Sequence, residues 1–185
     1  MNPSLYVSTY KKYSEGHLDG IWLNFDEYAN FPELWKALAE FHSDEKQPEY
    51  MCQVAQGVPY EMPESVRAID LLFLFRLARD EEADMLSAFL ALDPGEAPEL
   101  PNGMNTIEFA SLFDEFKERV QDSFAGKLED VTWTHHPDFN DWCFSRFLDD
   151  NPKAEEFENY LDADAIERSY SVYFCHYNGF VFSRH

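Results

Sequence analysis

Acidic residues run through the whole chain and are interleaved with apolar ones, and this pattern limits most strongly how the chain can fold. The segments 1–60, 61–120 and 121–185 carry net charges of -5, -9 and -8, which sum to the formal net charge of -22. An acidic tail would place its charge at one end. Aromatic residues make up 17% of the chain, and this much apolar surface can offset the entropy cost of folding. We therefore expect the acids to cover the surface of a folded protein.

The charge argues against direct binding to nucleic acid and leaves two explanations open. Phosphate contacts need clustered Lys and Arg, whereas the 14 basic residues are scattered among 36 acidic ones. One explanation is solubility, as in halophile proteins, although solubility alone needs a net charge of magnitude about 2–8. The other is a partner that binds negative charge. Spaced as in duplex DNA, at one charge per about 1.7 Å, the 36 carboxylates would cover roughly 60 Å.

The sequence also indicates where such a protein works. No apolar run approaches the roughly 18 residues that indicate a membrane-spanning helix. The first residues, MNPSLYVSTYKKY, lack the basic and apolar segments of a signal peptide. Cys52, Cys143 and Cys175 are widely spaced and odd in number, which is typical of reduced thiols. We therefore expect a cytoplasmic protein that does not contact a membrane.

The opening of the chain predicts a small α+β unit. Residues 5–10 (LYVSTY) and 21–23 (IWL) favour two strands around a turn, and residues 49–56 predict a third strand. Asn30 is placed to cap a helix, with Glu33 at the capping-box position. This unit therefore combines a three-stranded antiparallel sheet with a helix.

The middle of the chain predicts helices, and its end predicts a second α+β unit. Residues 66–77 favour a largely apolar helix, with a buried strand as the alternative for so short an apolar run. Asp80 is placed to cap the next helix. The remaining predicted elements are helices capped by Asn105 and Asp138, helices over 153–161 and 163–174, and strands over 124–128 and 180–182.

These elements predict an α+β fold in three domains. Residues 1–60 are the N-terminal α+β domain, residues 61–104 the central helical domain, and residues 105–185 the C-terminal α+β domain. The second boundary follows from residues 93–105, which hold three prolines and two glycines.

No motif indicates an enzyme. The glycine-rich phosphate loops and the G-x-S-x-G nucleophile motif are absent from the sequence, which has seven glycines. His136 and Asp138 with a distant His suggest a metal site weakly, but Pro137 and the cap position of Asp138 favour a loop. We therefore expect no catalysis, no metal and no cofactor.

Three parts of the chain resemble the ArdA family of antirestriction proteins. The opening LYVSTYKKY, followed by Gly16, Gly20 and Trp22-Leu23, is similar to the family's first strand, its turn and its G-x-W-L segment. Residues 77–90 (LARDEEADMLSAFL) resemble the acidic segment called the antirestriction motif. The segments YLDADAIER and YNGFVF near the end resemble the family's closing pattern.

The chain departs from the family pattern at three places. Ser8 stands where a glycine is common, a change that a strand tolerates. The segments 93–105 and 131–137 look like additions relative to a typical member.

The resemblance implies an elongated, curved, three-domain molecule that forms a homodimer. Family members mimic DNA and occupy the DNA-binding groove of Type I restriction–modification enzymes, and so protect incoming mobile DNA. The implied partners are the specificity and methylase subunits of such an enzyme. The alternative, from the charge, is an acidic adaptor that binds basic, nucleoid-type proteins.

On the DNA-mimic hypothesis, exposed carboxylates stand in for phosphates. The candidates for partner binding are Asp26, Glu27, Asp44, Glu45, Asp80, Glu81, Glu82, Asp84, Asp149, Asp150, Glu155 and Glu156. The apolar positions of the motif are interpreted as either core or dimer contacts, and they are Leu77, Met85, Leu86, Phe89 and Leu90.

Overall fold

The computed structural model describes residues 2–131, 134 and 137–184. Over these residues the chain is an α+β protein with seven α-helices and two antiparallel three-stranded sheets. Helices α1 to α7 span Tyr10–Ser14, Phe31–Phe41, Ala68–Ala78, Ala83–Leu92, Thr106–Ser123, Phe139–Asp150 and Ala163–Tyr170. Strands β1 to β6 span Ser4–Thr9, Ile21–Asn24, Tyr50–Gln56, Phe124–Lys127, Phe174–Tyr177 and Phe180–Ser183. The predicted fold class is confirmed.

The chain forms two compact units, Met1–Phe116 and Lys117–His185. The division falls within α5. The predicted division into three domains, with boundaries after residues 60 and 104, is a separate question from these two units and stays a prediction.

The sheet of the first unit has the strand order β2-β1-β3. On β1, Leu5 and Val7 are fully buried, whereas Tyr6 lies opposite Trp22 of β2 with ring centroids 5.4 Å apart. This alternation places an apolar face of the sheet against the interior. Helix α2 contacts β2 and begins at the predicted cap, where the Asn30 side chain accepts a hydrogen bond from the Glu33 amide at 3.0 Å.

Aromatic rings dominate the helical part of the first unit. Phe73 of α3 packs edge-on against Phe113 and Phe116 of α5, with centroids 5.8 and 5.7 Å apart. All three rings are at most 2% exposed. Asn105 caps α5 as predicted: its side chain accepts from the Glu108 amide, and the Glu108 carboxylate accepts from the Asn105 amide.

The second unit packs α6 and α7 with a sheet of strand order β4-β6-β5. Asp138 caps α6 as predicted, accepting from the Asp141 amide at 3.0 Å. The core residues of this unit are Val131, Phe139, Trp142, Cys143, Ile166 and Val181.

Four element predictions need correction. The first strand ends at Thr9 and not at residue 10, because the Thr9 hydroxyl accepts from the Lys12 amide at 3.2 Å and starts α1. Asp80 does not cap α4, because that helix begins at Ala83. The Asp80 carboxylate accepts instead from the Glu82 amide at 3.0 Å. The helix predicted over 153–161 is the 3₁₀ helix Pro152–Tyr160. The helix predicted to reach residue 174 ends at Tyr170, and β5 begins at Phe174.

Candidate functional site

The first pair of candidate acids lies on a short 3₁₀ turn, Phe25–Glu27, directly after β2. Phe25 is 1% exposed and anchors the turn, whereas Asp26 and Glu27 are both exposed. The Glu27 carboxylate accepts a hydrogen bond from the side-chain amide of Asn24 at 2.8 Å. The turn therefore presents two adjacent negative charges to solvent on a fixed backbone.

The second pair, Asp44 and Glu45, follows α2 and is engaged within the chain. Asp44 is exposed, and its carboxylate lies 3.0 Å from the Lys12 ammonium group. The hydrogen bond from Lys12 lowers the pKa of Asp44. Glu45 is half-buried and accepts from the Thr9 hydroxyl at 2.6 Å. Because Lys12 offsets part of the charge here, this pair offers less net charge to a partner than the Asp26–Glu27 pair.

The acids of the antirestriction motif lie on the turn before α4 and in its first turn. Glu81 and Asp84 are exposed, whereas Asp80 and Glu82 are half-buried. Glu81 and Asp84 are therefore the motif carboxylates most accessible to a partner.

The apolar positions of the motif lie in the interior of the first unit. Leu77, Leu86 and Leu90 are fully buried, Met85 is 7% exposed and Phe89 is half-buried. Leu77 lies in α3 and the other four lie in α4, and these two helices contact each other. The fully buried leucines offer no surface to a second copy of the chain, so they are core positions in this structure. A dimer contact through the motif stays a prediction.

The candidate acids of the second unit lie at the end of α6 and on the 3₁₀ helix that follows. Asp149, Asp150, Glu155 and Glu156 are all exposed. The Asp150 carboxylate accepts from the Tyr170 hydroxyl at 2.9 Å and lies 3.5 Å from Arg146 Nε. Burial and then this hydrogen bond raise the pKa of Tyr170 to about 12. These two contacts hold the Asp150 carboxylate in place. Within the described part of the chain, the Asp149, Glu155 and Glu156 carboxylates form no such hydrogen bond or ion pair.

Sequence reasoning missed a further group of exposed acids on α5. The sequence pattern could have revealed them, because an apolar stripe along one face of a helix leaves the opposite face exposed to solvent. Glu118 and Asp122 are four residues apart and so lie on one side of the helix. The exposed acids of α5 are Glu108, Asp114, Glu115, Glu118 and Asp122.

The described residues contain no group of three or more His, Cys, Asp or Glu side chains placed to hold a metal ion. His136, one of the weak metal candidates, lies outside the described residues, and Asp138, the other, is a helix cap. Burial raises the pKa of the Cys143 thiol to about 12. Cys175 is half-buried on β5.

None of the described helices is both long enough and apolar enough to cross a membrane. The largest cavity among those described is an open groove of about 820 Å³ in the first unit, lined in part by Trp35, His42 and Tyr50.

Comparison with known proteins identifies the family. The family model described as antirestriction protein (ArdA) matches residues 5–182, nearly the whole chain. No curated protein and no solved structure matches the chain. The match includes the opening strand, the acidic motif and the closing segment on which the resemblance was based. The chain therefore belongs to the ArdA family of antirestriction proteins.

Proposed function

We propose that this antirestriction protein is a DNA mimic that competes with DNA for the binding groove of a Type I restriction–modification enzyme. Its carboxylates take the places of phosphates against the Arg and Lys side chains of the specificity and methylase subunits. It acts in the cytoplasm as a homodimer, by occupancy and not by catalysis, and so protects incoming mobile DNA.

The observation that carries this proposal is the distribution of exposed acids on ordered elements of both units. Asp26 and Glu27 lie on a turn anchored by a buried Phe, and Asp149 lies at the end of a capped helix. A carboxylate carried by an ordered backbone loses less conformational entropy on forming an ion pair than one on a disordered segment. A rigid mimic also avoids the free-energy cost of bending a duplex to fit a groove.

A competition experiment tests the proposal. A labelled duplex with a Type I recognition site is prebound to its methylase complex, and this protein is titrated in at two salt concentrations. We expect displacement near one dimer per methylase at both salt concentrations. Because the affinity of the labelled DNA also falls with salt, the change in displacement compares the salt dependence of the two competitors. Polyglutamate at the same carboxylate concentration is the control for charge without shape, and we expect it to displace far less DNA.

Failure to displace DNA from several unrelated Type I methylases, at large excess and low salt, would contradict the proposal. Tight binding to basic nucleoid-type proteins, measured in a separate binding experiment, would then favour an acidic adaptor.

A further inference from the structure

The antirestriction motif contains one basic residue, Arg79, and its side chain reaches the turn that carries Asp26 and Glu27. Arg79 follows the last residue of α3. Its guanidinium Nη2 donates to the Phe25 carbonyl at 3.0 Å and also to the Tyr28 carbonyl. The guanidinium carbon lies 4.4 Å from the centroid of the Phe75 ring. Two hydrogen bonds therefore join this side chain to a segment about fifty residues earlier in the chain, and the Phe75 ring supports it from α3.

The two carbonyls bracket the exposed carboxylates. A 3₁₀ helix of three residues leaves carbonyl groups without partners inside the helix, and a guanidinium group can satisfy two of them. The Phe25 ring packs 6.3 Å from the Phe75 ring, so the turn and the arginine share one aromatic support. The contact with Arg79 thus holds the backbone on either side of Asp26 and Glu27.

We propose that Arg79 is a positioning residue for partner binding, which acts by holding Asp26 and Glu27 in the geometry that a cationic protein surface recognises. This inference rests on the proposed function. The acidic motif then has a second role, because its basic residue, Arg79, orders carboxylates that lie outside the motif. A backbone that is ordered before binding reduces the conformational entropy that this segment loses when a partner binds.

The direction of the effect separates positioning from simple charge. Removal of a positive charge from a chain of net charge -22 strengthens its attraction to a cationic surface. Loss of positioning weakens binding instead. Arg79→Gln therefore tests the inference directly, because the two effects have opposite signs.

The chain supplies a matched control, Arg76→Gln. Arg76 lies in the last turn of α3, and its guanidinium lies 5.4 Å from the Phe113 ring. We expect Arg76→Gln to displace DNA from the methylase as well as or better than the wild type, and Arg79→Gln to bind at least about five-fold more weakly. Equal affinities for the two variants would overturn the inference.

A double-mutant cycle shows whether Arg79 acts through the two carboxylates. In the Asp26→Asn, Glu27→Gln background, we expect Arg79→Gln to have no further effect on affinity, because the groups it positions are gone. If Arg79→Gln weakens binding equally in that background, the inference is overturned. The same result is expected if Arg79→Gln acts by unfolding the protein, so the cycle separates positioning from loss of fold. Arg79→Lys keeps the charge but loses the planar guanidinium group that lies over the Phe75 ring, so we expect it to weaken binding as well.

Failure of the inference is distinguishable from failure of the proposed function. A wild-type protein that displaces DNA, with Arg79→Gln equal to Arg76→Gln, contradicts the role of Arg79 alone. A wild-type protein that displaces no DNA overturns both.

Discussion

His42 is a fully buried histidine in a polar cluster that ties the end of α2 to the start of α1. Its Nδ1 lies 3.2 Å from the Lys12 ammonium group. An ammonium group is only a donor, so Nδ1 accepts, the proton is on Nε2 and the ring is neutral. The other titratable groups around the ring are Asp44, Glu45 and Tyr50.

This environment predicts a loss of stability as the pH falls. Burial and then Lys12 lower the pKa of His42 below 6.5, against the opposing effects of the Val7 backbone, Glu45 and Asp44. Below about pH 7.5 the unfolded chain therefore binds more protons at His42 than the folded chain, until the pH falls below the folded-state pKa. This contribution to stability is fully present above that window and decreases through it.

Urea unfolding of the wild type and of His42→Gln, between about pH 8 and pH 5, measures this contribution. Both proteins share the repulsion among their carboxylates, so the difference in their free energies of unfolding isolates His42. We expect the wild type to lose stability relative to His42→Gln as the pH decreases. A difference that stays constant or grows would contradict the assignment.

At the scale of residues, most helix caps were predictable, although the one at Asp80 was wrong, and distant contacts were not predictable. The caps at Asn30 and Asp138 were predicted correctly, because a cap depends on residues three positions apart. The ion pair of Asp44 with Lys12 joins residues 32 positions apart, so no local pattern reveals it.

At the scale of elements, Leu86 distinguishes a core role of the motif from a dimer contact. It is 0% exposed, and truncation of a fully buried leucine leaves a cavity. We expect Leu86→Ala to lower the free energy of unfolding by about 2–5 kcal/mol. Denaturant unfolding at protein concentrations a hundred-fold apart measures the loss, which should be independent of concentration.

Leu18→Ala is the matched control, because that leucine is 71% exposed. We expect it to change stability by less than about 0.5 kcal/mol. A loss in Leu86→Ala that becomes smaller as the protein is diluted would indicate that Leu86 also stabilises a dimer, because the contribution of a dimer disappears once the wild type dissociates.

The start of α5 gives a second test at this scale. The Asn105 side chain accepts from the Ile107 and Glu108 amides at 2.9 and 3.1 Å. We expect Asn105→Ala to cost about 1 kcal/mol of stability and Asn105→Asp to cost much less, because Asp is an equally good cap. Thermal unfolding of the three proteins measures the order, and equal losses in both variants would contradict the capping role.

Periodicity identified most elements but not their exact type or ends. The apolar stripe of α5 follows helical spacing, so its existence was predictable. The segment Pro152–Tyr160 has a helical pattern too, but forms a 3₁₀ helix. The irregularity in β4 between Phe124 and Gly126 depends on pairing with β6, which is distant in sequence. Such features arise from tertiary contacts that local propensity does not encode.

At the scale of the whole molecule, charge is the property that the sequence defines best. The net charge of -22 and the spread of acids are independent of the fold, and the family match agrees with the resemblance read from the motifs. What the sequence could not rank is the accessibility of each acid: Glu27 is exposed, whereas Glu45 is half-buried against Thr9. A list of candidate acids therefore mixes exposed carboxylates with half-buried ones that are engaged within the fold.

A distributed interface predicts that affinity depends on how many carboxylates remain. Exposed ion pairs contribute about 0.2–1 kcal/mol each, so we expect single substitutions such as Asp149→Asn or Glu155→Gln to weaken inhibition by about two-fold. Neutralising Asp149, Asp150, Glu155 and Glu156 together should weaken it by about ten-fold or more, because separate contributions add. Competition against labelled DNA at two salt concentrations measures both the affinity and its salt dependence.

The comparison set neutralises Asp26, Glu27, Glu81 and Asp84 of the first unit and removes the same amount of charge. If the interface is distributed, both sets weaken binding and both reduce its salt dependence, since fewer charges then contact the partner. Thermal unfolding of each variant confirms that it remains folded. The proposal predicts no single residue whose neutralisation abolishes inhibition in a folded protein. If neutralising one carboxylate abolished inhibition and neutralising the others had no effect, the protein would bind its partner through a localised site and not as a mimic of the DNA surface.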